Sequence, residues 1–131
     1  MRKRILIIED EENLLELLRI NIERRDFDVE YAITGEEGLQ RAMAHPPDAL
    51  LLDVRLPGMD GWEVCRRLRE HPATKDLTII FLTAAAQKED RENAFASGGD
   101  YFLTKPFDMG YLIEILNNAG EPSAQAHHSN R

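Results

Sequence analysis

Short apolar runs that stop at acidic or polar residues alternate along the chain with stretches in which apolar residues recur every three or four positions. The first run, Ile5 to Ile8, is unbroken and rich in β-branched residues, which suits a strand buried on both faces. It stops at Glu9 and Asp10. From Asn13 to Arg25, Leu14, Leu15, Leu17, Leu18 and Ile22 keep helical spacing, with charged residues on the opposite face. The same alternation predicts a strand at Val29 to Ile33, a helix at Gly35 to Ala44 and a second wholly apolar strand at Ala49 to Leu52, which stops at Asp53. A loop at Leu56 to Gly61 precedes a helix near Trp62 to Glu70, and Thr78 to Leu82 forms a strand ending at Thr83. A polar helix from about Lys88 to Ser97 leads through Gly98 and Gly99 to a short strand at Tyr101 to Leu103, then a last helix from about Met109 to Asn118.

Five β-α units of this length imply a three-layer, doubly wound α/β sandwich, because right-handed crossovers place helices on both faces of a parallel sheet. Residues 1–118 form the expected domain. Residues 119–131 are polar and without periodicity, and are expected to be a disordered tail. In such sheets ligands bind beyond the carboxyl ends of the strands, where the strand order reverses.

Composition narrows the function classes. The 131 residues carry a net charge of −8, which argues against direct nucleic-acid or anionic-membrane binding as the main activity. The single cysteine, Cys65, excludes an internal disulfide and any paired-cysteine zinc site, and its helical spacing from Trp62 marks it as a small core residue. No stretch has the length of a signal-peptide core or a membrane span, so a cytoplasmic location is expected. His45 and His71 each precede a proline at a helix end, where a contact with the helix dipole is the simpler expectation.

The strand ends bring the chemistry. Glu9 and Asp10, Asp53, Thr83 and Lys105 should converge at one edge of the sheet. Carboxylates held together repel one another and favour a hard cation among them. Oxygen ligands without His or Cys point to Mg²⁺ (or Mn²⁺) rather than zinc. A lysine and a hydroxyl facing that ion suit a phosphoryl group, and Asp53 can then act as its acceptor. Glu11 and Glu12 read instead as acids at the start of the next helix.

With those residues in view, the chain resembles the receiver domain of bacterial two-component response regulators, like the stand-alone chemotaxis regulator. The resemblance runs from about Arg4 to Asn118. It rests on Ile-Ile-Glu-Asp-Glu-Glu-Asn at 7 to 13, Leu-Leu-Leu-Asp-Val-Arg-Leu-Pro-Gly-Met-Asp-Gly at 50 to 61, Phe-Leu-Thr-Ala at 81 to 84 and Phe-Leu-Thr-Lys-Pro-Phe at 102 to 107. It implies a flavodoxin-like (βα)5 fold with a five-stranded parallel sheet. It also implies Asp53 as phosphoacceptor and Mg²⁺ held by Asp10, Asp53 and the backbone carbonyl of Arg55, with Glu9 acting through a metal-bound water. Thr83 and Lys105 would bind the phosphoryl group, with Ala84 and Pro106 in support and Pro106 following a cis peptide bond. Phe102 stands where the family keeps its switch aromatic, and would fill the space left as Thr83 moves toward the phosphoryl group.

Implied partners are a sensor histidine kinase or phosphotransfer protein and an unidentified downstream protein, met through the fourth helix, fifth strand and fifth helix. A monomer or a weak dimer through the fourth and fifth helices is expected. Arg55 and Ala85 flank the position where family members tune the lifetime of the phosphoryl group; Arg55 reads either as a shield against water or as an ordinary surface arginine. Two other functions compete. A small aspartate-nucleophile Mg²⁺ phosphohydrolase would want an acid two residues past Asp53, where Arg55 stands. A pseudo-receiver scaffold would not need the full Asp53, Thr83 and Lys105 set.

Overall fold

A computed structural model describes residues 2–84 and 87–120 and the backbone of residues 128 and 129. Its elements are β1 (Arg4–Ile8), α1 (Glu12–Glu23), β2 (Asp28–Ala32), α2 (Gly35–Ala44), β3 (Ala49–Leu52), α3 (Gly61–Glu70), β4 (Thr78–Thr83), α4 (Lys88–Ala96), β5 (Tyr101–Thr104), α5 (Met109–Asn117) and β6 (His128–Ser129). The sheet runs β2-β1-β3-β4-β5-β6 with all neighbours parallel. The five expected strands and five helices are present, with ends displaced by a residue or two, as helix ends do where the last turn frays. The two-residue β6 pairs with β5 (Tyr101 opposite His128), so the segment expected to be a disordered tail adds an edge strand. Residues 121–127, 130 and 131 lie outside the described residues.

Side-chain alternation along the strands divides the interior into two cores. Ile5, Ile7, Leu51, Ile80, Leu82, Tyr101 and Leu103 face a cluster with Leu14, Leu18 and Ile22 of α1 and Leu112, Ile115 and Leu116 of α5. The intervening residues Leu6, Ile8, Leu50, Leu52, Ile79, Phe81 and Phe102 face Ala42 of α2, Val64, Cys65 and Leu68 of α3 and Ala94 of α4. Both faces of the central strands are therefore dry, which is why those strands read as unbroken apolar runs. Cys65 is buried in the second core, as its spacing implied, and its thiol donates to the Ser97 carbonyl.

Several features were not legible as patterns. Ala119, assigned from the sequence to the tail, is 3% exposed and packs in the α1/α5 core. The Lys3 ammonium donates to the carbonyls of Asn117 and Ala119, closing the carboxyl end of α5. At the edge opposite the acidic strand ends, Arg69 pairs with Asp100 (2.9 Å), and Asp100 also accepts the Ile79 N–H (2.9 Å). Arg69 further donates to the Gly98 carbonyl (2.9 Å), so one guanidinium ties α3 to the entries of β4 and β5. Phe107, just before α5, is half-buried with Tyr111 against the α1/α5 core.

Candidate functional site

The site forms where the chain's direction of winding reverses, between β1 and β3. From β1 the chain moves outward to β2, then returns past β1 to β3 and continues to β5. The α1 and α2 connections therefore leave the β1/β3 boundary on opposite faces, and a crevice opens beyond the carboxyl ends of these strands. Glu9 and Asp10 follow β1 directly, and Asp53 follows β3. The pairing of Ile8 with Leu52 and the bond from Asp53 N–H to the Ile8 carbonyl (3.2 Å) hold the two carboxylate-bearing ends level.

Backbone geometry supports the acids. Glu9 N–H donates to the Ala32 carbonyl at the end of β2 (3.1 Å), and one Glu9 carboxylate oxygen accepts the Glu11 N–H (3.1 Å). Asp53 Oδ1 accepts the Arg55 N–H (3.2 Å). A glycine is required at 61, because a Cβ there would lie 2.2 Å from the Asp53 carbonyl oxygen. The chain returns over β3 at this point, with Gly61 N–H donating to the Val54 carbonyl (2.9 Å), and α3 begins directly, capped by the Asp60 side chain. Gly58 turns the same loop with a positive φ of 73°.

Glu9, Asp10 and Asp53 each offer a carboxylate oxygen within 4.8 Å of the others. Glu9 and Asp53 are buried and Asp10 is exposed, so the cluster has dry walls and an open mouth. Lys105, following β5, reaches across with Nζ 3.8 Å from Glu9 Oε1 and 3.8 Å from Asp53 Oδ2. Its N–H donates to the Thr83 carbonyl (3.0 Å), which fixes the lysine beside the end of β4. One ammonium does not offset three carboxylates. Burial, and then repulsion from Asp53, push the Glu9 carboxyl up to about 7, although the Glu11 N–H and Lys105 act the other way. An oxygen-only cluster with this surplus of negative charge fits a hard divalent cation.

Thr83 ends β4 and is 1% exposed; Ala84 follows it at the surface. Ala85 lies outside the described residues. The Lys105–Pro106 peptide is cis, as the resemblance implied. Phe102 lies away from the carboxylates, wholly buried on the α2/α3/α4 side. Its ring centroid is 6.5 Å from that of Phe81, and the Arg91 guanidinium lies 5.4 Å from the ring centre. The aromatic expected to enter the core upon switching is already fully buried here. Arg55 projects outward with its guanidinium 3.4 Å from Asp90 Oδ1.

Asp90 is the residue that reading the sequence missed. It is the third residue of α4, 4% exposed, and its carboxylate also accepts the Gln87 N–H (3.3 Å). The Asp90 N–H in turn donates to the Gln87 backbone carbonyl (3.0 Å), and the three-residue spacing of these two polar residues at the start of the helix was the available signal.

The comparisons agree with this geometry. The model of the response regulator receiver domain matches residues 5–117. The DNA-binding dual master transcriptional regulator RpaA of Synechocystis is 43% identical over 110 residues, covering 84% of this chain and 46% of that protein. The phosphate regulon transcriptional regulatory protein PhoB of Rhizobium meliloti is 44% identical over 113 residues, covering 86% of this chain and 50% of that protein. The chain spans about half the length of these curated relatives. Among solved structures, a Chloroflexus aurantiacus protein described as a response regulator superposes with a TM-score of 0.85 at 36% identity, over 90% of this chain and 97% of that one. A CheY-like receiver domain protein from Methanospirillum hungatei gives 0.83 at 27% identity, over 90% and 93%. With strand order, acidic crevice and sequence in agreement along almost the whole described length, the chain belongs to the receiver-domain family of response regulators, the phosphoryl-accepting signalling switches of two-component systems.

Proposed function

We propose that this chain accepts a phosphoryl group on Asp53 from a phosphohistidine of a sensor kinase or phosphotransfer protein, and that the resulting charge alters the surface formed by α4, β5 and α5. The observation that carries the reading is the meeting of Glu9, Asp10 and Asp53 at the β1/β3 crevice, with Lys105 within 3.8 Å of two of them. Asp10, Asp53 and the Arg55 carbonyl would hold Mg²⁺, with Glu9 acting through a water. Bound there, the ion supplies positive charge against the oxygens of the incoming phosphoryl group.

The protein groups divide the remaining work. An Asp53 carboxylate oxygen bonds to phosphorus as the phosphorus–nitrogen bond to the donor imidazole breaks, leaving an acyl phosphate. Lys105 balances charge on the phosphoryl oxygens and the Thr83 hydroxyl donates to one of them. The acyl phosphate carries about −1.5 to −2 charge where the Asp53 carboxylate carried −1, and it places that charge on oxygens further from the strand end, which is the driving force for rearrangement. A dedicated phosphohydrolase gains no support from Arg55, a cation where such an enzyme needs a proton donor.

The cellular setting belongs to the same proposal. No helix among the described residues is long and apolar enough to cross a membrane. We place the chain in the cytoplasm, as a monomer or a weak dimer through α4 and α5, with a protein as its direct target.

The test is intact mass after incubation with acetyl phosphate. One Mg²⁺-dependent phosphoryl increment in the wild type, absent from Asp53→Asn, is expected. Full labelling of the variant would overturn the assignment of Asp53, and phosphate release without an increment would favour a hydrolase.

A further inference from the structure

The first turn of α4 is tied to the site at two consecutive residues. Asp90 holds the guanidinium of Arg55, two positions past Asp53, and Arg91 lies over the ring of Phe102, three positions before Lys105. We propose that Arg55 is a positioning residue shared between Asp90 and the phosphoryl group of Asp53, so that phosphorylation breaks the Arg55–Asp90 pair and loosens the start of α4. The inference rests on the receiver reading above and adds the path by which the charge reaches α4.

The geometry favours an exchange of partners. The Asp90 side chain is 6% exposed and fixed in the cap of α4, whereas that of Arg55 is 69% exposed, so the cation is the mobile member. The Arg55 N–H already rests on Asp53 Oδ1 at 3.2 Å, which places the base of this long side chain beside the acceptor carboxylate. A phosphoryl group carries about twice the charge of a carboxylate and offers a guanidinium paired acceptors. Drawn to it, Arg55 covers the phosphorus from water. Hydrolysis, in which a water oxygen bonds to phosphorus, the bond to the Asp53 oxygen breaks to restore the carboxylate and inorganic phosphate carries off both hydrogens of the water, then slows.

At the other end, Asp90 loses its cation while buried and keeps the Gln87 N–H. A buried carboxylate stripped of its counter-charge is costly where it stands, so the first turn of α4 gains a reason to move. Arg91 carries that movement to Phe102 and hence to β5.

A double-mutant cycle on phosphoryl lifetime tests this. Arg55→Ala, a surface change, is expected to shorten the lifetime of the acyl phosphate by about threefold or more, with partial recovery in Arg55→Lys. Asp90→Asn keeps an oxygen for the cap but loses the charge, and is expected to lengthen the lifetime in the wild-type background and to have no effect in the R55A background. Hydrogen exchange in α4 should rise on phosphorylation of the wild type, and be high in R55A whether or not it is phosphorylated. Equal effects of Asp90→Asn in both backgrounds, or an unchanged lifetime in R55A, would overturn the exchange while leaving the receiver reading intact. A wild-type chain that takes no phosphoryl group would overturn both.

Discussion

Glu9 and Asp53, delivered by neighbouring strands, share the single ammonium of Lys105, which stands 3.8 Å from a carboxylate oxygen of each. Neither acid has that cation to itself, and Asp10 adds a third negative charge at the mouth. Burial first, and then repulsion from Asp53, push the Glu9 carboxyl from 4.5 up to about 7, and the divided ammonium offsets only part of this.

This sets a pH dependence for the metal-free chain. The folded state holds the Glu9 proton to a higher pH than the unfolded chain does, so between pH 4.5 and about 7 it binds more protons and loses stability as pH rises. Urea denaturation with chelator present should show this decline, levelling off above the folded-state value. Glu9→Gln should flatten it and raise stability at pH 8. A stability that rises through this window in the wild type but not in Glu9→Gln would show the opposite sign.

Divalent-ion binding should separate the two neighbouring acids. Asp10→Asn is expected to weaken Mg²⁺ affinity more than Glu9→Gln, as befits a direct ligand against one acting through water. Titration calorimetry of both variants provides the comparison, and equal losses would show that the two roles are misassigned.

Lys105→Ala should leave Asp53 able to take the phosphoryl group but unable to transmit its arrival, because the lysine that links the crevice to β5 is gone. Intact mass should show the increment, while hydrogen exchange across α4 and β5 should be the same with and without it. The variant should also raise the Glu9 carboxyl further, since Lys105 acts to lower it, and so extend the decline of metal-free stability to higher pH.

Gly61→Ala should damage the fold and the site together. The added Cβ meets the Asp53 carbonyl oxygen at 2.2 Å, a backbone atom that can yield only by displacing the β3 to α3 loop. A loss of about 1–3 kcal/mol in stability and slower labelling of Asp53 are expected. Unaltered labelling at wild-type stability would mean that the loop has slack.

Asp100→Ala should do the reverse, costing about 3 kcal/mol by leaving the largely buried Arg69 guanidinium without its carboxylate. Labelling at a temperature where the variant remains folded should match the wild type, because this pair lies at the opposite ends of the strands.

The fold was legible because its interior is periodic. Strands buried on both faces must be apolar without interruption, as Ile5 to Ile8 and Ala49 to Leu52 are, and helices lying on them must be apolar every third or fourth residue. The residues that ended each apolar run could be listed from the sequence because a dry strand tolerates a carboxylate only where it leaves the sheet. Glu9, Asp10, Asp53, Thr83 and Lys105 were singled out as candidates in this way.

Only the tertiary structure decided which charges answer which. Lys105 divides itself between two acids, Arg69 closes on Asp100 and Arg55 on Asp90, and each pairing depends on where two loops distant in sequence come to rest. Periodicity reports the face on which a residue lies; the partner of a charge is set by strand order and loop path, which join residues 31 to 96 positions apart. The same holds for Ala119, which carries no pattern of its own and is buried only because α5 ends against the core. The chemistry at the strand ends was thus determined by the sequence, and the distribution of charge among those residues by the packing of the sheet.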